Sequence, residues 1–253
     1  MIMGSINDFF IPENMVGNIS DETYKKAYYV IDTLDAISRL TYQSIYVIDY
    51  FKQTFLYVSD NPFFLCGFQP DEVKEMGYNF YFNQVPESEI NMLLEINKEG
   101  FAFFNKVSIE ERMKLLISYD FHIKDNDQKI LINHKLTPIL LADNGHIWLA
   151  ACVVSLSSKQ NAGHIEAHMD GRSDYWTYSL ESHEWQHQDA IMLSKREKEI
   201  LLYSAQGLTG EQIADKICRT METVNYHKQN LFNKLGVNNI ASAIAIASQK
   251  KMI

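Results

Sequence analysis

Residues 194–237 read SKREKEILLYSAQGLTGEQIADKICRTMETVNYHKQNLFNKLGV and contain three helix starts within 27 positions. Each of the first two starts pairs a Ser or Thr with a Glu or Gln three residues later, a spacing that allows a reciprocal capping box. The pattern therefore predicts three short helices. The starts are Ser194 with Glu197, Thr209 with Gln212, and Thr220, whose segment also carries Thr223 and Val224.

The connections between these predicted helices are short. Gly207 can end the first helix, because glycine adopts the left-handed backbone conformation at little cost. Only Cys218 and Arg219 separate the second helix, which ends near Ile217, from Thr220. Two helices joined by so short a turn cross at a steep angle, so the pattern predicts a helix-turn-helix.

The third helix has one apolar side and one polar side. At about 100° per residue, Leu231 and Leu235 lie within about 20° of Val224, with His227 to one side, and this stripe is expected to be buried. The opposite side carries Glu222, Asn225, Tyr226, Gln229 and Asn233, with Lys228 and Lys234 at its margins. Such a face suits the DNA major groove, because amides pair with adenine edges and lysines neutralise phosphates.

These residues supply the candidate DNA contacts. We predict that Asn225, Tyr226 and Gln229 contact base edges. The residues predicted to contact phosphates or position the helix are Ser194, Lys195, Thr220, Thr223, Lys228 and Lys234. The alternative is that the polar side is the solvated face of an ordinary three-helix bundle.

The same stretch resembles the C-terminal DNA-binding domain of LuxR-type (GerE-like) transcriptional regulators. The matching positions are Leu193, Arg196, Glu197, Ile200, Leu201, Gly207, Ile213, Ala214, Thr220, Thr223, Val224, His227, Asn230, Leu231, Lys234, Leu235, Gly236 and Val237. The resemblance implies four helices, with the third in the major groove and the fourth, in residues 239–251, available for pairing two copies. Two positions depart from the family pattern. Arg219 stands where the family usually has an apolar residue, and Asn225 stands where the family often has Lys or Arg.

Charge is divided unevenly along the chain. Residues 193–253 contain nine Lys or Arg against five Asp or Glu, a net charge of +4. The first 192 residues contain 14 against 27, a net charge of −13, and together they give the overall −9. Positive charge is therefore concentrated in the segment predicted to meet DNA.

Composition and length indicate a cytoplasmic protein of one large or two smaller domains. With 253 residues, 46% of them hydrophobic, the chain can bury a sizeable core. No apolar run approaches 18 residues, and the first residues lack the pattern of a secretory signal. The cysteines are scattered, with neither the spacing of a metal site nor that of a disulfide framework. We therefore predict no membrane span and no metal.

The N-terminal part begins with a predicted tail, residues 1–20, and a predicted helix, residues 21–42. The helix carries a broad apolar stripe that includes Ala27, Ile31 and Leu34. So wide a stripe needs a partner, which could be the domain that follows or the same helix in a second copy. This segment is thus either a core helix or a dimerisation element.

Residues 43–157 are predicted to form two strands, then several short helices, and then three further strands. The strands are residues 44–50, 54–59, 115–124, 129–140 and 146–157, which alternate apolar and polar residues or are rich in β-branched and aromatic ones. Turns are expected at Asp125–Gln128 and at Asn144–Gly145. The order predicts a five-stranded antiparallel sheet with helices over one face.

This element order resembles a PAS domain. Asn61 after the second strand, and Leu65, Gly67 and Phe68 followed by Pro70, are similar to a stretch of that family. The resemblance implies a module that senses a ligand, light or redox state, or that dimerises.

The sequence does not identify a ligand for this PAS-like domain, and no cofactor is predicted. Cys66 lies outside the motif that a flavin photosensor requires. His122 or His134 could be proposed as a haem ligand, although a single His on a strand is more often hydrogen-bonded or solvated. Aromatic residues near Phe63 and Tyr78 could line a pocket, but filling the core is the simpler interpretation.

Residues 158–190 are polar and rich in histidine. His183 and His187 are four residues apart and could bind a metal from a helix, but the alternation from Tyr175 to Leu180 indicates extended structure. We predict a solvated connector with a hairpin turning at Asp170–Gly171. The residues expected to fix it against a domain surface are Trp176, Tyr178 and Trp185.

Together these patterns predict an α+β chain. A PAS-like sensory or dimerisation domain would precede a four-helix LuxR-type domain, residues 191–253, that reads DNA as a homodimer at an inverted repeat. The alternative is a protein-interaction module that docks on RNA polymerase or another partner. No Gly-rich phosphate loop, His-Glu-x-x-His motif or nucleophile elbow is present, so we predict no enzyme activity.

Overall fold

The computed structural model describes residues 5–125 and 128–253. The chain forms two compact units, one ending at Gln188 and the other spanning Asp189–Ile253. In the first unit the helices are α1 Asp21–Ser38, α2 Pro62–Leu65, α3 Pro70–Met76, α4 Asn79–Gln84 and α5 Glu87–Lys106. The strands are β1 Ser44–Asp49, β2 Thr54–Val58, β3 Leu115–Asp125, β4 Gln128–Leu141, β5 Ile147–Leu156, β6 Gly163–Met169, β7 Tyr175–Ser179 and β8 Glu184–Gln188.

The strands form one antiparallel sheet, with eight strands in the described residues, in the order β2-β1-β5-β4-β3-β6-β7-β8. The prediction of a five-stranded sheet was wrong, because residues expected to be a solvated connector supply β6, β7 and β8. The edge of β3 pairs with β6, from Leu115 opposite Met169 to Ser118 opposite Glu166. Ile165 and Ala167 of β6 are buried, so this strand completes the core. The hairpin expected near Asp170–Gly171 is present, between β6 and β7.

Successive residues of β1 face two different layers, as the pleat of a strand requires. Tyr46 and Ile48 join the large core cluster that includes α5. Val47 packs in a second cluster with Tyr24 and Ala27 of α1. The Tyr24 hydroxyl donates a 2.5 Å hydrogen bond to Asp49, which ties α1 to the end of β1.

The predicted N-terminal helix ends earlier than expected, at Ser38. Ala27 is buried and Ile31 and Leu34 are partly buried against the sheet, so the helix does contribute to the core. Leu40, beyond the helix, is exposed. Whether α1 also pairs two copies stays a prediction.

Two of the predicted boundaries fall partly outside the described residues. The turn expected at Asp125–Gln128 contains residues 126 and 127, and the predicted tail begins with residues 1–4. Of that tail, residues 5–20 contain the 3-10 turns Ile6–Phe9 and Pro12–Asn14.

The turn at Asn144–Gly145 connects β4 to β5, and Gly145 has a φ of +77°, which favours glycine. None of the helices that the structure describes has the length and apolar content of a membrane span.

The core of the first unit contains a hydrogen-bonded group of polar aromatic side chains. The hydroxyl of Tyr46 lies 2.6 Å from Nε2 of His134 and also hydrogen-bonds to the hydroxyl of Tyr81. All three side chains are buried, and Nδ1 of His134 has no hydrogen-bond partner among the described residues. Burial lowers the pKa of His134 to about 3, so this imidazole is neutral at pH 7.

The second unit contains α6 Lys195–Ala205, α7 Gly210–Lys216, α8 Met221–Leu235 and α9 Ile240–Gln249. The structure describes every residue of Asp189–Ile253. The second unit contains four helices, the number that the resemblance implied. Two apolar clusters hold them: one joins α6, α8 and α9 around Leu201 and Leu231, and the other joins α6, α7 and α8 around Ile213 and Val224. The α8 helix contributes to both clusters.

One ion pair connects the start of α6 to the end of α8. Nζ of Lys234 lies 2.8 Å from a carboxylate oxygen of Glu197, which is only 3% exposed, and also donates to the carbonyl of Met192. Burial by itself raises the pKa of Glu197, but the hydrogen bonds from Lys234 and Ser194 outweigh this effect and lower the pKa. Glu197 is therefore ionised in the folded domain.

The neutral His134 predicts a pH dependence of stability. Unfolded His binds a proton below about pH 6.5, whereas folded His134 stays neutral down to a pKa of about 3. Its contribution to stability is therefore complete above pH 6.5 and is lost as the pH falls. We expect this residue alone to lower the free energy of unfolding by about 2 kcal/mol between pH 7 and pH 5.

The measurement compares urea unfolding of the wild type and His134→Gln at both pH values. The tryptophans at 148, 176 and 185 all precede residue 189, so their fluorescence follows the first unit. The pH-dependent loss should be about 2 kcal/mol smaller in the variant. Equal losses in the two proteins would contradict a neutral buried His134.

The Glu197–Lys234 pair predicts a stability cost confined to the second unit. Lys234→Met keeps the aliphatic stem but leaves the buried carboxylate without its cation, which should lower the free energy of unfolding by about 1–3 kcal/mol. Lys228→Met makes the same change on the same helix and is the matched control, because no ion pair to Lys228 occurs among the described residues. Circular dichroism at 222 nm during urea unfolding measures both, and equal stability of the two variants would contradict the assignment.

Candidate nucleic-acid interface

Hydroxyl caps fix the starts of the three helices that form the site. The Ser194 hydroxyl accepts from the amide of Glu197, and a Glu197 carboxylate oxygen accepts from the amide of Ser194 at 2.7 Å. Thr209 and Gln212 form the same reciprocal box at the start of α7. Thr220 caps α8 by accepting from the amide of Thr223. The three starts predicted from the sequence are therefore confirmed.

The turn between α7 and α8 is as short as predicted. Cys218 has a φ of +52°, in the left-handed region, and reverses the chain directly after α7. The amide of Arg219 then donates to the carbonyl of Ala214 at 2.9 Å, which closes the turn. The Arg219 side chain is exposed and donates to the carbonyl of Cys218, so this departure from the family pattern does not enter the core.

The buried side of α8 anchors the helix. Val224, Leu231 and Leu235 are at most 5% exposed and pack in the two apolar clusters. His227 is partly buried at the edge of this stripe. The stripe predicted from helical spacing is confirmed, and it fixes which side of α8 faces solvent.

The polar side of α8 is exposed along its length. The exposed residues are Glu222, Asn225, Tyr226, Gln229 and Asn233. Tyr226 is 64% exposed, which is high for a tyrosine on an ordered helix. Nε2 of Gln229 donates to the side-chain oxygen of Asn233 at 3.1 Å, which leaves the Gln229 oxygen free to accept from a base. The three residues predicted to read bases thus share one accessible face.

The residues predicted to contact phosphates occupy different positions. Ser194 and Thr220 are helix caps, and their hydroxyl groups also hydrogen-bond to the carboxylates of Glu197 and Glu222; Lys195 is exposed at the start of α6. The Lys228 side chain points toward the start of α7. If Gly210 were replaced by a residue with a side chain, its Cβ atom would lie 4.0 Å from Nζ of Lys228. Lys234 differs from the others, because its ammonium is bound to Glu197.

Glu222 adds a negative charge to the first turn of α8. A hydrogen bond from Thr220 lowers the pKa of its carboxyl group, so the group is ionised at neutral pH. A carboxylate on a reading face repels phosphates but can accept from the amino group of cytosine.

Sequence reasoning missed two interactions that position the site. Lys234 is paired with Glu197, 37 residues away in the chain, so no local pattern shows this ion pair. The capping box of Glu197 only indicates that its carboxylate already accepts one hydrogen bond. Asn239 caps α9 by accepting from the amide of Ser242 at 2.8 Å. An Asn directly before an apolar helix is a recognisable cap signal.

The histidines considered in the first unit each hydrogen-bond to a protein group. Nδ1 of His122 lies 2.7 Å from Glu89, and His134 contacts Tyr46 as described above. Nδ1 of His183 lies 2.6 Å from Glu95, whereas Nε2 of His187 lies 2.8 Å from Asp174. The described residues contain no group of three or more His, Cys, Asp or Glu side chains arranged to hold a metal.

Comparison with known proteins agrees with this geometry. Residues 192–247 match the family described as "Bacterial regulatory proteins, luxR family" (GerE). The Fimbriae Z protein of Escherichia coli K12 is 40% identical over 62 residues, which cover 24% of this chain and 30% of that protein. The probable transcriptional regulatory protein SgaR of Hyphomicrobium methylovorum is 43% identical over 60 residues, covering 24% and 28%. The matched region thus spans about 30% of the length of these curated relatives.

Two solved structures align with most of this chain at low sequence identity. The phage VqmA–DPO complex aligns over 91% of both chains with 16% identity and a TM-score of 0.32. The Vibrio cholerae VqmA dimer aligns over 87% of both chains with 16% identity and a TM-score of 0.33. From the family match and the observed helices, residues 192–247 form a LuxR-family (GerE) helix-turn-helix domain.

Proposed function

We propose that this protein is a DNA-binding transcriptional regulator that reads the major groove with α8. The observation that carries the proposal is the exposed face of Asn225, Tyr226 and Gln229 on a helix whose opposite side is anchored in two apolar clusters. In the LuxR family the corresponding domain binds DNA, and this unit holds the positive charge of the chain. Asn225, Tyr226 and Gln229 contact base edges, and Ser194, Lys195, Thr220, Thr223 and Lys228 contact phosphates.

The regulator acts as a homodimer on an inverted repeat. Because Lys234 is paired with Glu197 and Glu222 is ionised, one domain offers few phosphate contacts and should bind weakly alone. Two linked copies raise affinity, because the second domain binds at a high effective concentration. The α9 helix of the second unit and the exposed side of α1, which includes Tyr29, are the candidate pairing surfaces.

The first unit is a PAS-like sensory or dimerisation domain. Its two strands, four helices and three further strands follow the element order that suggested this family, and β6 to β8 extend the sheet. A cavity of about 40 Å³ lies between α5 and the sheet. Its lining includes Tyr50, Asn97, Tyr119 and Leu136 and no charged side chain among the described residues. These features support an uncharged ligand of few atoms as the signal.

A protein partner is the second candidate function. Glu222 and the exposed Tyr226 would also suit a protein surface, because an ionised carboxylate is repelled by phosphate and Tyr is frequent at interfaces. The domain would then dock on RNA polymerase or another protein. Capture of polymerase without DNA, together with no shift of any DNA fragment, would favour this function over DNA reading.

Removal of the two amides proposed to read bases should weaken sequence discrimination. We expect Asn225→Ala with Gln229→Ala to weaken binding to a specific site by about tenfold or more per amide, because one bidentate base contact is worth about 1–3 kcal/mol. Binding to unrelated DNA should stay within about twofold, since it rests on phosphate contacts.

Fluorescence anisotropy at one fixed salt concentration measures both affinities. Gln206→Ala is the matched control, because it removes an exposed amide from the end of α6 and leaves α8 unchanged. The proposed reading face would be wrong if the double variant and the control bound the specific site equally well.

A further inference from the structure

The cavity in the first unit lies next to a second space near the protein surface. The outer space is a crevice of about 180 Å³, and Tyr50 and Phe101 line both it and the cavity. The other side of the crevice is formed by residues 9–11 and 14–16. A molecule that entered the cavity from this side would therefore have to pass residues of the N-terminal segment.

We call residues 5–16 the strap. It consists of the two 3-10 turns at Ile6–Phe9 and Pro12–Asn14 and pairs with no strand of the described sheet. Asn14 takes the place of a strand partner: its side-chain nitrogen donates to the carbonyl of Ile147, and its side-chain oxygen accepts from the Ile147 amide. Asn14 is 7% exposed, so these two bonds are shielded from water.

Side chains of α5 and of the β4–β5 turn also donate to carbonyls of the strap. Asn97 and Asn105 of α5 donate to the carbonyls of Phe9 and Glu13 at 2.8 and 3.0 Å. From the β4–β5 turn, the side-chain nitrogens of Asn144 and His146 donate to the carbonyl of Met15 at 3.0 and 2.9 Å. The contacts of Asn105, Asn144 and His146 are exposed, where water competes for each bond.

An aromatic side chain holds the strap on the core. Phe9 is 5% exposed and is the strap residue in the large core cluster, while Ile6, Phe10, Ile11 and Val16 are only partly buried against it. The Phe9 ring lies 5.2 Å from Tyr78, 5.8 Å from Tyr81 and 5.9 Å from Phe82, between ring centroids. Withdrawing Phe9 would open this side of the core without breaking any hydrogen bond of the sheet.

Two residues line the cavity and also hydrogen-bond to the strap. Asn97 and Ile147 line the cavity, and the same residues hold Phe9 and Asn14. From this arrangement we propose that the strap is a gate that opens and closes the cavity, and that a molecule in the cavity acts on the gate through Asn97 and Ile147. This inference rests on the proposed sensory role of the first unit and adds how its signal enters and leaves.

Cys152 provides a native reporter of the gate. It is fully buried and lies opposite Leu136, a cavity-lining residue, in the β4–β5 register. Cys66 is also buried, at the end of α2, and reports opening of the whole unit. Burial raises the pKa of both thiols, so both should react slowly at pH 8 unless they become exposed.

The test measures the reaction of each cysteine with methyl methanethiosulfonate by mass spectrometry in the full chain. The variants are Phe9→Ala and Asn14→Ala, and the control is Asn91→Ala, which removes an exposed amide of α5. We expect both strap variants to increase the Cys152 rate by tenfold or more relative to the Cys66 rate. The control should leave the ratio of the two rates unchanged.

Two results would overturn the gate. In one, the rates of Cys66 and Cys152 rise together, which shows that the strap only stabilises the whole unit. In the other, the Cys152 rate stays unchanged in both strap variants. The labelling needs neither DNA nor a ligand, so it succeeds or fails independently of the DNA-reading and sensory proposals, which anisotropy and ligand binding test.

Discussion

The ion pair between the buried carboxylate of Glu197 and Lys234 is the interaction on which the helix arrangement of the second unit depends. The carboxylate caps α6 through the amide of Ser194 and binds the ammonium of Lys234 near the end of α8. A buried carboxylate needs such partners, because an unpaired charge in a protein core is costly. The ion pair between Glu197 and Lys234 sets the position of α8 relative to α6. The buried apolar stripe around Val224 then determines which side of α8 faces solvent.

Charge and polarity are divided between the two units in a way that suits a regulator. The second unit has a net positive charge, but the ammonium of Lys234 is paired with Glu197 of the same unit. The exposed face of α8 that is proposed to read bases also carries the ionised Glu222. In the proposed function, sequence discrimination therefore depends on the exposed amides of α8, and the strength of DNA binding depends on the pairing of two copies. We propose that the acidic first unit, with its uncharged cavity, contributes the pairing and the signal.

Local patterns predicted the second unit well and the first unit in part. Caps such as Thr209 with Gln212 act within one helical turn, and the apolar spacing of α8 acts within one helix, so both can be recognised in the sequence. The five predicted strands are present for the same reason. A hairpin at the position of β6 and β7 was expected, but the extension of the sheet by β6 to β8 was missed because it depends on the pairing of β6 with β3, far away in the chain. The partners of Lys234 and Asn14 are likewise distant, and no local signal identifies them.

Base reading by α8 in a homodimer is tested most directly by selection of binding sites for the full chain from a pool of random double-stranded DNA. If α8 reads bases in a homodimer, sequencing should recover an inverted repeat whose half-site centres lie about one helical turn, roughly 10 base pairs, apart. Recovery of no enriched sequence, at a salt concentration where the protein still binds DNA, would contradict base reading by α8. Recovery of a single unrepeated half-site would contradict the dimer.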